Sequence, residues 1–190
     1  VFDYKHIELE DKYYQTANFT NKDTADVTRF SGDALTLELE QNSLNRKQLA
    51  SSGTMINFKA KYVAGREHSI AGSTGTDDYD YRKNHQWIQV SAAFQSYVVS
   101  RKMFSVGLHA NTLITSQSLF KNYTATILSL SSYEPLPDMQ TYFLPEYRAS
   151  QFVGGGINLI FTPRKNFDLR FDGYYFQPFK QLGINADGEY

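Results

Sequence analysis

The sequence predicts an all-β fold, and within that class an antiparallel transmembrane β-barrel segment. Three observations carry this. Hydrophobic residues recur with period two, not 3.6, along most of the chain. The alternating stretches are joined by connections that are in turn tight and long, as in outer-membrane barrels. Aromatics reach 15% of the 190 residues, with 14 Tyr and 14 Phe, a composition that favours strands and membrane interfaces.

Taken in order, a first and weaker strand is expected from Phe2 to Glu10. Leu35, Leu37 and Leu39 then alternate with Thr36, Glu38 and Glu40, and Ile56, Phe58, Ala60 and Tyr62 with Asn57, Lys59 and Lys61. Ile88, Val90, Ala92, Phe94 and Val98 alternate with Gln89, Ser91, Gln95 and Tyr97. Phe104, Val106, Leu108 and Ala110 alternate with Ser105, Gly107, His109 and Asn111. Val153, Ile157, Leu159 and Phe161 share one face, opposite Asn158 and Thr162. Last, Phe167, Leu169, Phe171 and Tyr175 alternate with Asp168, Arg170 and Asp172. That makes about seven strands of up to about a dozen residues, and no segment has the pattern of an amphipathic helix. The short turns each carry Lys or Arg: Asn45-Arg46-Lys47, Ser100-Arg101-Lys102 and Pro163-Arg164-Lys165-Asn166. The long connections cover about 11–32, 64–85 and 115–148, lengths that are uncommon in compact soluble domains.

Composition narrows the function classes. With 19 Lys+Arg against 20 Asp+Glu, the net charge of −1 argues against nucleic acid as a partner. The absence of cysteine excludes a disulfide scaffold, a thiolate zinc site and a Cys nucleophile. No stretch approaches the roughly 18 apolar residues of a spanning helix. A soluble antiparallel sandwich or lipocalin-like barrel shares the period-two pattern. Three features favour the membrane barrel over it: a heavily charged polar face (Glu38, Glu40, Lys59, Lys61, Arg170, Asp172), long strands, and aromatics near strand ends (Tyr62, Tyr97, Tyr142, Phe143, Tyr174, Tyr175, Phe176). The lipid-facing residues are then expected to include Leu37, Phe58, Phe94, Leu108, Leu159 and Phe171. On this assignment Leu159→Arg should cost ~2–4 kcal/mol and Asn158→Arg little.

Two parts of the chain carry a family resemblance. One is Ser43-Leu44-Asn45-Arg46-Lys47-Gln48 leading to Gly53, followed by Tyr62-Val63-Ala64-Gly65-Arg66-Glu67. The other is Asn122-Tyr123-Thr124-Ala125-Thr126-Ile127, then Pro145 through Gly156, then Leu169-Arg170-Phe171-Asp172-Gly173-Tyr174-Tyr175-Phe176-Gln177-Pro178. Together they resemble the C-terminal β-barrel of outer-membrane patatin-like phospholipases from Gram-negative bacteria. That barrel is related to the surface-antigen, POTRA-carrying assembly-factor superfamily. The resemblance covers most of residues 33–180. It implies a barrel of about 16 strands, of which this chain, residues 1–190 as one segment, supplies about seven. The rest of the barrel and a hydrolase domain before Val1 would come from the same longer protein. It also implies an outer-membrane location and contact with lipid.

No active site is expected within the chain. Patatin hydrolases use a Ser in G-x-S-x-G and an Asp in D-G-[GA]. The first motif is missing, and Asp172-Gly173-Tyr174 and Asp187-Gly188-Glu189 have the wrong third residue. Gly154-Gly155-Gly156 has no P-loop context and reads as a kink in a strand. His6, His68, His85 and His109 have no metal-ligand spacing. Thr76-Asp77-Asp78-Tyr79-Asp80 reads as a solvated loop rather than a Ca²⁺ site. Asn18-Phe19-Thr20 and Asn122-Tyr123-Thr124 fit a glycosylation triplet and carry no weight. Neither cofactor nor metal is expected.

The resemblance singles out Arg148. In that superfamily a long loop enters the barrel lumen and ends in a Val-Arg-Gly-[Phe/Tyr]-like tip, whose Arg bonds acidic residues of the inner wall. Tyr147-Arg148-Ala149-Ser150 ends the longest loop here, with Ala149 and Ser150 in place of the Gly and the aromatic. Phe171-Asp172-Gly173 resembles the acidic inner-wall strand. The implied contact is Arg148 with Asp172, and Arg170 shares that face. An exposed loop Arg is the equal alternative. By resemblance the function is to anchor a patatin-like acyl hydrolase in the outer membrane, or to pass it across. The alternatives are a non-enzymatic assembly or translocation barrel, alone or within a complex with other outer-membrane proteins, a passive pore, and a soluble lipid-binding β-protein.

Overall fold

A computed structural model describes residues 1–180 apart from residues 15, 17, 19, 75–79 and 165–166. Seven strands follow one another: β1 (Phe2–Tyr13), β2 (Asp26–Asn42), β3 (Thr54–Ile70), β4 (Tyr81–Ser100), β5 (Phe104–Thr115), β6 (Gln151–Arg164) and β7 (Phe167–Lys180). Each pairs antiparallel with its neighbours in sequence, giving one sheet in the order β1 to β7. The fold is therefore all-β. The sheet is not closed: β1 and β7 are its edges. No helix among the described residues is long and apolar enough to cross a membrane.

The alternation in sequence becomes two unlike faces. One is bare. It carries Leu35, Leu37, Leu39, Ile56, Phe58, Tyr62, Ile88, Val90, Phe94, Leu108, Ile157, Phe161, Leu169 and Phe171, all exposed. Leu37 is 46% exposed and Phe171 67%. The other face is covered, and its polar groups are the buried ones: Glu67, His85, Thr28 and Asn158. This inverts the usual distribution, since large exposed apolar patches mark interaction or membrane surfaces.

The apolar belt on the bare face runs obliquely. On β2 its centre is Leu37, whose ladder partners in succession are Ala60, Val90, Ile114 and then Gln151 on β6. On β6 the centre is Ile157, six residues beyond Gln151. At about 3.3 Å per residue and about 4.8 Å between strands, that is about 20 Å along the strands over about 19 Å across them. The belt therefore departs by about 45° from the ladder direction.

Beyond the belt the strands continue, and the first two long connections are shorter than the alternation suggests. They cover 14–25 and 71–80 rather than 11–32 and 64–85, because β1, β2, β3 and β4 extend past the last apolar residues. There the bare face turns polar, with Ser31 and Arg29 above Leu35 and Arg66 and His68 above Tyr62, so the hydrophobic contrast fades while the hydrogen-bond ladder persists. The Thr76–Tyr79 stretch read as a solvated loop lies outside the described residues.

Two connections fold onto the covered face. The 43–53 turn packs Ala50 against Tyr97 and Ile160, with Leu44 alongside. It needs Gly53, whose φ is +98° and where a Cβ would meet the Ser43 carbonyl oxygen at 2.2 Å. Segment 116–150 packs on the upper and middle parts of that face through Phe120, Ala125, Tyr133 and Ala149, while Lys5 and Glu40 at the lower end of β1 and β2 stay exposed. The segment holds features with no precursor in the hydrophobic pattern: a short helix, α1 (Tyr123–Ser129), and two single 3-10 turns at Pro137–Thr141 and Pro145–Tyr147. Asn122, dismissed above as part of a glycosylation triplet, caps that helix by accepting the Thr124 N–H at 2.8 Å. Of the aromatics near strand ends, Tyr97, Tyr174 and Phe176 point to the covered face.

Candidate functional site

The site is the covered face and the segment seated on it. Its upper part is built from period-two extensions of the charged sides of β3 and β4. Glu67 continues the row of Lys59, Lys61 and Val63, and His85 begins the row of Trp87 and Gln89. Both side chains are fully buried, and His85 Nε2 lies 2.6 Å from Glu67 Oε2. Segment 116–150 supplies the remaining partners. The Lys121 backbone N–H donates to Glu67 Oε1 at 2.7 Å, and Ser118 Oγ is 2.8 Å from His85 Nδ1. Both carboxylate oxygens and both ring nitrogens are thus occupied. Phe30, Trp87 and Phe120 pack around the pair with ring centroids 5.3–6.4 Å apart. A buried carboxylate and imidazole with this many bonds hold their partners in one geometry, because leaving either unpaired is costly. Chemically they pin residues 118–121 to the wall.

The middle part is aromatic. Tyr133 stacks on Phe176 at 5.4 Å and 7° and packs against Leu113, Ala149 and Phe152. Its hydroxyl donates to the Gly155 carbonyl at 3.3 Å, and burial raises its pKa above the ordinary phenol value. The tyrosine ring lies on Gly154, where a Cβ would come within 2.4 Å of Cε2. The register of β6 with β5 and β7 is regular from Val153 to Phe161. The three glycines therefore mark a close approach with no bulge in the ladder.

The sequence points to Arg148, Arg170 and Asp172 as one group. All three meet the covered face, but in two separate networks. Arg148 donates through Nη1 to the carbonyls of Ile127 (3.4 Å), Leu128 (3.2 Å) and Leu130, and sits 4.9 Å over the Phe143 ring. These carbonyls lie at the C-terminal end of α1, where backbone donors run short; the Ile127 carbonyl also accepts the Leu130 N–H at 3.3 Å. Burial lowers the Arg148 pKa from its ordinary value; the guanidinium remains a cation. Asp172 accepts from Arg170 Nε at 2.9 and 2.7 Å and from Asn158 Nδ2 at 2.6 Å. Arg170 also donates to the Ala50 carbonyl at 3.0 Å, tying the 43–53 turn to the wall. Among the described residues Arg148 and Asp172 do not pair. The physical reason is supply: Arg170 and Asn158 satisfy the carboxylate from its own wall, and the helix end offers Arg148 nearer acceptors.

Between the two networks lies a cavity of about 170 Å³ lined by Gln95, His109, Asn111, Glu134, Asn158 and Arg170. Asn158 is only 2% exposed and bonded to Asp172. An arginine there would break the bond to Asp172 and crowd Arg170, so Asn158→Arg is costly, contrary to the sequence expectation. Among the described residues no group of three His, Asp or Glu is placed to hold a metal ion. The Glu67–His85 pair was not singled out from sequence. The signal was the parity of Glu67 with Lys59, carried past the end of the apolar row. No protein-family model, curated protein or solved structure was found to match this chain.

Proposed function

We propose that this chain is part of the wall of an outer-membrane β-barrel, with the bare face toward lipid and segment 116–150 seated in the lumen. The observation that carries this is the oblique apolar belt. A belt about 45° off the ladder corresponds to strands tilted about 45° from a bilayer normal, close to the tilt of barrel strands. On β4 the outward apolar residues run from Ile88 to Val98; ten residue steps are about 33 Å along the strand, or about 23 Å in projection, against an apolar band of about 25 Å in such barrels. The open edges at β1 and β7 are then filled by further strands of the same protein, because hydrocarbon does not tolerate unpaired backbone.

The role we assign to the wall is to anchor a patatin-like acyl hydrolase in the outer membrane, or to pass it across. This rests on the resemblance of residues 33–180 to the barrels of that family. The wall itself carries the positioning networks around Glu67, Arg148 and Asp172, and the hydrolytic residues belong to the domain before Val1. Sequencing the native polypeptide upstream of Val1 tests it. A G-x-S-x-G and D-G-[GA] domain is expected. POTRA-type repeats would instead make the protein an assembly factor.

A further inference from the structure

The bare face does not end at the belt, and what lies beyond has its own chemistry. Tyr4 and Tyr62 form the last aromatic rung, with Tyr4 Oη donating to Asp33 at 2.7 Å and Tyr62 Oη donating to Gln86 at 3.3 Å, both residues of the next rung. Above it, successive ladder rungs hold His6, Asp33 and Ala64, then Glu8, Ser31, Arg66 and Asn84, then Glu10, Arg29, His68 and Arg82. Ser31 and Ala64 are small, and a shallow depression of about 480 Å³ opens among their neighbours. The acidic groups here are already engaged: Glu10 with Arg29 at 2.9 Å, Asp33 with His6 at 2.9 Å and Tyr4, Asp80 with His68 at 3.3 Å, and Glu8 at 3.6 Å from His6. Arg66 bonds Asn84 through Nε at 3.2 Å. Neither Arg66 nor Arg82 has a carboxylate within ion-pair distance among the described residues, and both are exposed.

We propose that Arg66 and Arg82, with His68 between them, form a docking site for the phosphate-bearing headgroup of a membrane lipid. The inference rests on the membrane-wall reading above and deepens it. Arg66 stands four residues past Tyr62, about 13 Å along the strand and about 9 Å in projection, at the outer limit of the roughly 5–8 Å headgroup layer and within reach of its phosphates for a side chain as long as Arg. The planar fork of Arg binds phosphate oxygens in pairs, and its charge complements the phosphoryl group. A lipid whose chains lie on the belt at Tyr62 and Ile88 would present its phosphate at this height.

The test uses the full-length protein, inserted into vesicles of zwitterionic lipid doped with phosphatidylglycerol, and reads the phosphatidylglycerol retained per protein after detergent exchange by native mass spectrometry. The variants are R66Q/R82Q and, as a control at the opposite strand ends, R101Q/K102Q. The wild type and control are expected to retain the anionic lipid, and the double variant to lose at least about fivefold. Equal retention by all three would overturn the headgroup site while leaving the membrane reading intact. Loss of the lipid to 10 mM inorganic phosphate would overturn it in favour of a free-anion site. Failure of the wild type to insert would overturn the membrane reading, and the site with it.

Discussion

The two faces of this sheet are made by the same strands and obey opposite rules. On β2 and β3 the bare face presents Leu37, Leu39 and Phe58 to the surroundings, whereas the covered face of β3 buries Glu67 completely. In water the first arrangement forfeits the burial of large apolar groups and the second desolvates a carboxylate. Both become favourable when the bare face meets hydrocarbon and the covered face encloses its own polar partners. What the contrast teaches is that the apolar side supplies placement and the polar side supplies specificity. Any apolar residue serves at Leu37, but Glu67 has two defined partners, the His85 ring and the Lys121 N–H.

The comparison can be broken from either side. The largest effect is expected from Glu67→Ala, which leaves His85 buried without its carboxylate and frees the Lys121 N–H. It should cost about 3–5 kcal/mol, read as a lower urea midpoint for the folded barrel and faster proteolysis within 116–150. Glu67→Gln keeps the hydrogen-bonding shape and should cost less. An unchanged midpoint for the alanine variant would mean that the pair does not hold the segment.

Next, Leu37→Arg should cost ~2–4 kcal/mol in a bilayer, and the neighbouring Thr36→Arg on the covered face within about 0.5 kcal/mol. Thr36 lies between Asp3 and Lys61 on its rung; Asp3 already pairs with Lys5 at 3.4 Å, so the new cation shares that exposed carboxylate. Equal costs would erase the distinction between the faces.

Gly154→Ala sharpens the picture of the middle contact. Its methyl group would have to displace the Tyr133 ring, an overpacking cost of about 1–3 kcal/mol, and thermal unfolding should show it. The smallest effect is expected from Asn122→Ala, which removes the cap of α1 at about 1 kcal/mol. That loss should appear as earlier hydrogen exchange at Thr124 with β1 to β7 unchanged.

Much of the architecture was legible because it rests on parity. The seven strands, their antiparallel order and the placing of Leu37, Phe58, Phe94, Leu108, Leu159 and Phe171 on one face follow from parity. What was missed lies where parity carries no hydrophobic contrast. The upper ends of β2 and β3 have polar residues on both faces, at Arg29 and Thr28 or at Arg66 and Glu67, so the strands seemed to stop early. Helix α1 is seven residues long, too short to show a period. The partners of Arg148 are backbone carbonyls, and no side-chain motif marks those. The resemblance implies an acidic partner for Arg148; the structure places Arg148 on the covered face with backbone carbonyls in that role.

The chain contains no cysteine, so single cysteines can be introduced one at a time from Val27 to Gln41 in the full-length protein. Spin labels at each position, in reconstituted vesicles, would report collisions with oxygen, which concentrates in hydrocarbon, and with a water-soluble nickel chelate. Oxygen accessibility is expected to peak at 35, 37 and 39 and to dip at 34, 36 and 38, with nickel accessibility rising at 29 and 31. Nickel accessibility as high at 35, 37 and 39 as at 29 would contradict the account and return the sheet to water.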